Sequence, residues 1–268
     1  MIDEVTSRVL ASVGSADRVD PIVLRFLLCR YSATGRDDLH DALGPALARA
    51  LDQYAGDTAM SRRAEWLRLF AQAATIADDE RVIDAAGELL AALIGCWRSA
   101  ATIAEAAEAI EACLAAASVT GSRDRLAGAI EELERVVGPA YSPGEGLLDR
   151  RGGFRVVDQI YAALALLKAY EVSARLPYSM LAEELMQTAQ RQPWDACGIV
   201  ASCDAARVFC RLASLHADAE YVAAAVIAPN ADYRGDAERI LTRQSPRALD
   251  DPRDAAAYGL ALSEWLVG

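Results

Sequence analysis

Ala33-Thr34-Gly35-Arg36-Asp37-Asp38-Leu39 is a short polar turn between two apolar stretches of helical length. The same design returns at Ile76-Ala77-Asp78-Asp79-Glu80-Arg81-Val82, at Val119-Thr120-Gly121-Ser122-Arg123-Asp124-Arg125-Leu126, at Val172-Ser173-Ala174-Arg175-Leu176-Pro177-Tyr178 and at Leu215-His216-Ala217-Asp218-Ala219-Glu220-Tyr221. The apolar residue closing each turn falls at 39, 82, 126, 178 and 221, a period of 43 or 44 residues with one interval of 52. A fixed period of this length marks stacked helical hairpins, each unable to bury its apolar face alone.

Working outward from the turns, the chain reads as twelve helices. The first spans about 2–13. Hairpins follow at about 20–34 and 37–54, 61–77 and 79–98, 102–118 and 122–137, 155–172 and 176–190, and 200–215 and 218–243, the last with a break near Pro229-Asn230. Start signals support the boundaries. Asp20 precedes Pro21, an N-cap followed by the residue that best tolerates the first helical position. Thr102 stands three residues before Glu105, as in a capping box. A final helix over 252–267 has no downstream partner and the first has no upstream one, so pairing the two gives six hairpins. The long interval is explained by 138–152, a Gly/Pro-rich stretch read as an insertion rather than a domain junction, so the expectation is one domain over 1–268.

Composition agrees with an all-α fold. Of 268 residues, 53% are hydrophobic and 25% charged, and the abundant alanine favours helices that approach closely. The net charge of −12 and the pI of about 4.7 oppose long-range attraction to nucleic acid or anionic membranes. No uncharged run reaches membrane-spanning length, and the first residues do not resemble a secretory leader, so the expected location is the cytoplasm. The six cysteines form no CxxC pair and have no histidine at ligand spacing, so they read as small buried hydrophobes.

If the six hairpins close into a ring, the more apolar helix of each pair faces the centre: those starting near 20, 61, 102, 155, 200 and 252. Their N-termini then share one end, where free N–H groups and the positive end of the helix dipole favour oxygen ligands. A pocket is expected there.

Two stretches carry a family likeness. One is Gly144-Glu145-Gly146-Leu147-Leu148-Asp149-Arg150 followed by the helix Val157-Asp158-Gln159-Ile160-Tyr161-Ala162-Ala163-Leu164-Ala165-Leu166-Leu167-Lys168-Ala169-Tyr170-Glu171. The other is Arg211-Leu212-Ala213-Ser214-Leu215-His216-Ala217-Asp218-Ala219-Glu220-Tyr221. Together with the six hairpins they resemble the six-hairpin glycosidase superfamily of (α/α)6 toroids, and within it the toroid of the N-acylglucosamine 2-epimerase-like, thioredoxin-associated proteins. There a glycine-rich loop precedes an Asp-Asp-Tyr-Ala helix. Asp158 falls on the second aspartate, while Val157 replaces the first and Gln159 the tyrosine. The resemblance implies an all-α toroid, its first helix paired with its last, and a carbohydrate site on the inner helices.

Inner-barrel histidines, which the epimerase resemblance implies for proton transfer, are not available. His40 and His216 belong to hairpin turns at the other end. Glycoside hydrolysis instead needs two carboxylates, one protonated and one ionised. Asp20, Glu65, Glu105, Asp158, Asp204 and Asp254 lie near the pocket end, and Asp158 with Asp204 is the expected acid–base pair. Gln159, Tyr161, Trp66, Trp194, Tyr258, Arg155 and Arg62 are the expected substrate-binding residues, aromatics for sugar faces and arginines for acidic groups. No metal or cofactor motif is present.

The expected function is thus a divergent carbohydrate-processing or carbohydrate-binding protein of the six-hairpin type, its ligand a sugar or sugar-derived molecule. The alternative is a non-catalytic toroid scaffold that binds a protein partner. An open solenoid holding a peptide is a third reading, and it would leave the first and last helices apart.

Overall fold

The computed structural model describes residues 1–14, 17–77, 79–192 and 197–267. Among these the fold is all-α. Its helices are α1 (Ile2–Val13), α2 (Pro21–Thr34), α3 (Asp37–Gln53), α4 (Met60–Ala74), α5 (Glu80–Cys96), α6 (Ile103–Thr120), α7 (Arg123–Val137), α8 (Val156–Ser173), α9 (Leu176–Gln190), α10 (Gly198–His216), α11 (Ala219–Ala225), α12 (Tyr233–Ala248) and α13 (Pro252–Val267). One two-stranded ribbon, β1 (Tyr141–Ser142) and β2 (Gly146–Leu147), interrupts them.

Local chemistry sets the helix ends. The Asp20 carboxylate accepts from the Ile22 N–H at 2.9 Å just ahead of Pro21. Thr102 accepts from the Glu105 N–H at 3.1 Å, while the Glu105 carboxylate reaches back to the Ala101 N–H at 2.8 Å. These bonds satisfy donors that a helix start leaves open. At the other ends Gly35 and Gly121 adopt left-handed φ of 62° and 67°, which glycine takes without strain. Ala174 does the same job after α8 at φ 55°.

Each polar turn joins an antiparallel pair: α2 with α3, α4 with α5, α6 with α7, and α8 with α9, while α10 packs on α12. The stretch expected over 218–243 with a break near Pro229-Asn230 is two helices, α11 and α12, with the break at 226–232. Asp218 caps α11, Asp232 caps α12 through the Gly235 N–H at 2.9 Å, and the segment holding Pro229 lies between them. The stretch 138–152 is ordered by side chains of neighbouring helices. Gln159 accepts from the Leu147 N–H and donates to the Leu147 carbonyl, each at 2.8 Å. Glu184 accepts from Tyr141 Oη at 2.7 Å and from the Gly144 N–H at 3.0 Å.

The more apolar helix of each pair also packs on its counterpart in the next pair. α2 lies against α4, α4 against α6, α6 against α8, α8 against α10, α10 against α13, and α13 against α2; α1 rests on α13 and α2. Buried Phe26, Trp66, Phe70, Leu90, Leu166 and Phe209 illustrate a core shared by all of them. The approach of α13 to α2 needs Gly259, where a Cβ would stand 2.4 Å from the Phe26 ring.

Candidate functional site

Helical periodicity converts this packing into a lined space. Residues three and four apart share a helix face. Ser61, Glu65 and Arg68 of α4 therefore point the same way, as do Glu105, Glu108 and Glu111 of α6, and Val157, Tyr161 and Leu164 of α8. Ala201, Asp204 and Arg207 of α10, Arg253, Ala257 and Leu260 of α13, and Ile22 and Arg25 of α2 complete the wall. They enclose a cavity of about 480 Å³ along the first two to three turns of the six helices.

At the helix starts, Arg253 bridges the Asp20 carboxylate at 2.8 Å and Glu65. Arg62 reinforces the same cluster, 3.1 Å from Asp20 and 2.9 Å from Glu65. One or two turns further along, Arg68 meets Glu111 at 2.5 Å and Glu108 at 3.5 Å. Arg207 is held by Asp204 at 3.0 Å and by Glu264 at 2.8 Å.

The two α6 carboxyls part company. Burial pushes the Glu108 carboxyl up to about 7, against the pull of Arg68 and with the help of the negative charges of Asp204 and Glu65. Glu111 is also raised by burial, but the Arg68 guanidinium, backed by Arg211 and Arg25, outweighs that and takes it down to about 2. Burial, then Asp204 and Glu108, lift the Tyr161 hydroxyl above the ordinary tyrosine range, so it stays protonated. The wall thus carries a carboxyl that holds its proton near neutrality, close enough to a salt-bridged aspartate to feel its charge. A carboxyl kept protonated near neutrality is suited to an acid role.

The residues expected from sequence are dispersed. Asp204 and Tyr161 line the cavity, and Arg155 reaches its edge. Asp158 does not: it is 1% exposed, and its carboxylate accepts from the Ala104 N–H at 2.8 Å, serving the start of α6. Burial raises its carboxyl against that N–H bond and Arg155. It lines a separate cleft with Arg98, Arg135 and Asp149. Asp158 and Asp204 are therefore not brought together in one space. Gln159 is fully buried under Leu147 rather than facing a ligand. Trp66 is buried against Phe70 and donates from Nε1 to Asp57 at 2.7 Å. Arg62 lies in the cluster just described, its guanidinium 5.5 Å from the Trp66 ring centre. Tyr258 is buried, its hydroxyl 3.4 Å from Met1 Sδ. Trp194 falls outside the described residues.

The chain matches no family model and no curated relative.

Sequence reasoning missed Arg25, Arg68, Glu108, Glu111 and Arg207. All sit deeper along their helices than the first turn. A signal existed: Arg25 stands inside Ile22-Val23-Leu24-Arg25-Phe26-Leu27-Leu28, Arg68 inside Trp66-Leu67-Arg68-Leu69-Phe70, and Glu111 inside Ala109-Ile110-Glu111-Ala112. Lone charges within otherwise apolar helices are costly unless matched by one another or by a ligand. His216, at the end of α10, donates or accepts with buried Glu183 at 3.1 Å, away from the cavity. Among the described residues no group of three or more His, Cys, Asp or Glu is disposed to hold a metal ion, and no helix is long and apolar enough to cross a membrane.

Proposed function

We propose that the chain is a compact (α/α)6 toroid whose central cavity takes a small, hydroxyl-rich ligand of the sugar class and transfers protons to it. The succession α2, α4, α6, α8, α10, α13 and back to α2 supports the ring, and the pairing of α1 with α13 supports six hairpins. The observation that carries the functional reading is that Glu108 of α6 and Asp204 of α10 line one cavity from either side of α8, near enough for the Asp204 charge to act on the Glu108 carboxyl. Glu108 supplies a proton near neutral pH and Asp204 is the second carboxylate. Glu65, Glu105 and Tyr161 offer acceptors and a donor for ligand hydroxyls. Asp158 serves as a structural cap in this reading, in place of the acid–base role expected from the sequence.

The test is turnover of a panel of aryl glycosides by the wild type, Glu108→Gln and Asp204→Asn. Losses in kcat of at least about 100-fold in both variants are expected, the usual scale for removing a general acid or base. Turnover that survives both substitutions in folded protein would reject the pair.

A second reading rests on a different surface. Ile83 and Val119, 43% and 42% exposed, line one apolar cleft with Ala71, Ala74, Ala86 and Ala116 at the opposite ends of α4, α5 and α6. Such a patch is suited to a protein partner. Self-association abolished by Ile83→Asp, seen in sedimentation, would support it; a monodisperse monomer with the sugar response above would not.

A further inference from the structure

The arginines of the cavity are not equivalent. Arg68, Arg207 and Arg253 each have two carboxylate partners, and Arg155 lies 3.9 Å from Asp158. Arg25, on α2, has no side-chain partner among the described residues, and its Nε is shut from solvent without an acceptor. Its chain neighbours Leu24 and Phe26 are both fully buried, and Ile22 lines the cavity with it. The charges that act on it most are those of Arg207 and Arg68; Glu111 and Asp204 oppose them and come second. Burial first, then the charges of Arg207 and Arg68, bring its guanidinium down to about 10, against the pull of Glu111 and Asp204, and it is still protonated at neutral pH. A half-buried cation whose Nε is shut from solvent and unbonded, and whose nearest charges repel it, is an expensive feature to leave unmatched. Among the described residues, every other arginine of the wall has a carboxylate within 4 Å, and Arg25 has none.

We propose that Arg25 anchors a single oxyanion group, a carboxylate or a phosphate, of the ligand that the central cavity takes. This rests on the reading of that cavity as the ligand site, and it narrows the ligand class to acidic rather than neutral sugars and related polyols. A guanidinium offers paired donors to two oxygens of one such group. The rest of the molecule then lies against Tyr161, Glu105, Glu108 and Asp204. These carboxyls disfavour a second anionic group, so the ligand carries one.

The experiment is thermal unfolding of the full chain, wild type beside Arg25→Met and Arg25→Gln, at pH 7.5 and matched ionic strength. The probes are acetate, inorganic phosphate, D-glucuronate and D-glucose, with chloride as reference. Two results are expected. Without added anion, both variants melt higher than the wild type, because an unmatched buried charge is gone. With anion, the wild type gains roughly 5 °C in Tm at saturation, and the variants gain nothing beyond chloride. Acetate and glucuronate acting without phosphate identify a carboxylate; phosphate acting alone identifies a phosphate. Variants that melt lower than the wild type, or wild type and variants that respond alike to every anion, overturn the proposal. Glucose raising Tm alike in all three proteins, with no anion response that depends on Arg25, would overturn the anchor and leave the sugar site standing. An Arg25-dependent anion response combined with turnover indifferent to Glu108 and Asp204 would do the reverse.

Discussion

Glu108 makes the pH dependence of stability a direct readout of the site. An ordinary glutamate releases its proton near 4.5 in the unfolded chain, whereas the folded protein keeps it up to about 7. Between those values the folded state binds a proton that the unfolded state has lost, so stability falls as pH rises through the window and is level above it. At about 1.4 kcal/mol per unit, the decline is on the order of 3 kcal/mol. Glu111 and Glu264 act with the opposite sign. Burial raises both, but the arginines beside them win and hold both near 2. They contribute stability that is present above about 4.5 and lost as pH falls through about 2. The windows do not overlap. Glu108→Gln should match the wild type in Tm at pH 4 and exceed it at pH 8; parallel Tm–pH curves would show that Glu108 titrates normally. The site was poorly legible in sequence for the same reason that Glu108 matters. First-turn acids such as Asp158 are abundant because helix starts attract them, and only the fold shows which of them face a cavity. A charge one or two turns deeper, such as Arg25 or Glu108, has no local role, and its meaning depends on partners 40 or more residues away. Ala174 gives an independent test at this scale. A left-handed alanine costs about 1–2 kcal/mol relative to glycine, while glycine gives back about 0.5–1 kcal/mol in unfolded-chain entropy. Ala174→Gly should therefore stabilise by several tenths of a kcal/mol in urea titrations, and a destabilised variant would show that the αL turn after α8 is not strained.

Among the elements, hairpin turns and helix starts were readable because their causes are local: Asp20 with Pro21, Thr102 with Glu105, and Gly35 and Gly121 at helix ends. The ribbon at 141–147 was not. Its two-residue strands carry too little alternation to detect, and its order comes from Gln159 on α8 and Glu184 on α9, whose side chains replace a sheet partner for its backbone. Removing that support should free the segment without unfolding the helices. In Gln159→Leu, the amides around Leu147 should lose protection from hydrogen exchange while those of α8 keep theirs. Equal loss in both would make the ribbon part of the core's cooperative unit. The α2–α13 crossing sets two effects in opposition at Gly259. Alanine there would gain about 1 kcal/mol in helix propensity, but its Cβ would stand 2.4–2.9 Å from three atoms of the Phe26 ring. Overpacking typically costs about 1–3 kcal/mol, and a ring held by its neighbours cannot yield easily. Gly259→Ala should destabilise, and Gly259→Ala combined with Phe26→Leu should recover most of the loss. Failure of the double variant to recover would place the strain elsewhere.

At the scale of the whole molecule, the repeat alone leaves two architectures open, because a period of 43–44 residues serves a linear stack as well as a ring. In a linear stack each hairpin touches only its neighbours, so terminal repeats fray first and stability grows roughly in proportion to their number. In the proposed ring there is no terminal repeat. α13 packs against α1, α2, α10 and α12, so removing it exposes apolar faces at both ends of the sequence at once. Arg253 leaves with it, and the cluster with Asp20 and Glu65 loses a cation from between two carboxylates. The outcome distinguishes the two architectures. Ending the chain at Asp250 should abolish cooperative unfolding altogether for a ring, whereas a stack should lose only one helix's share and keep its transition, slightly lowered. Calorimetry of the intact chain supplies the companion test. A ring predicts one transition whose calorimetric and van't Hoff enthalpies agree; a stack predicts a broad transition with the calorimetric value the larger. The same ring carries the functional argument, because the six helix starts surround one cavity only if α13 returns to α2. A truncated chain that still folds would therefore remove the architectural support for the proposed site as well.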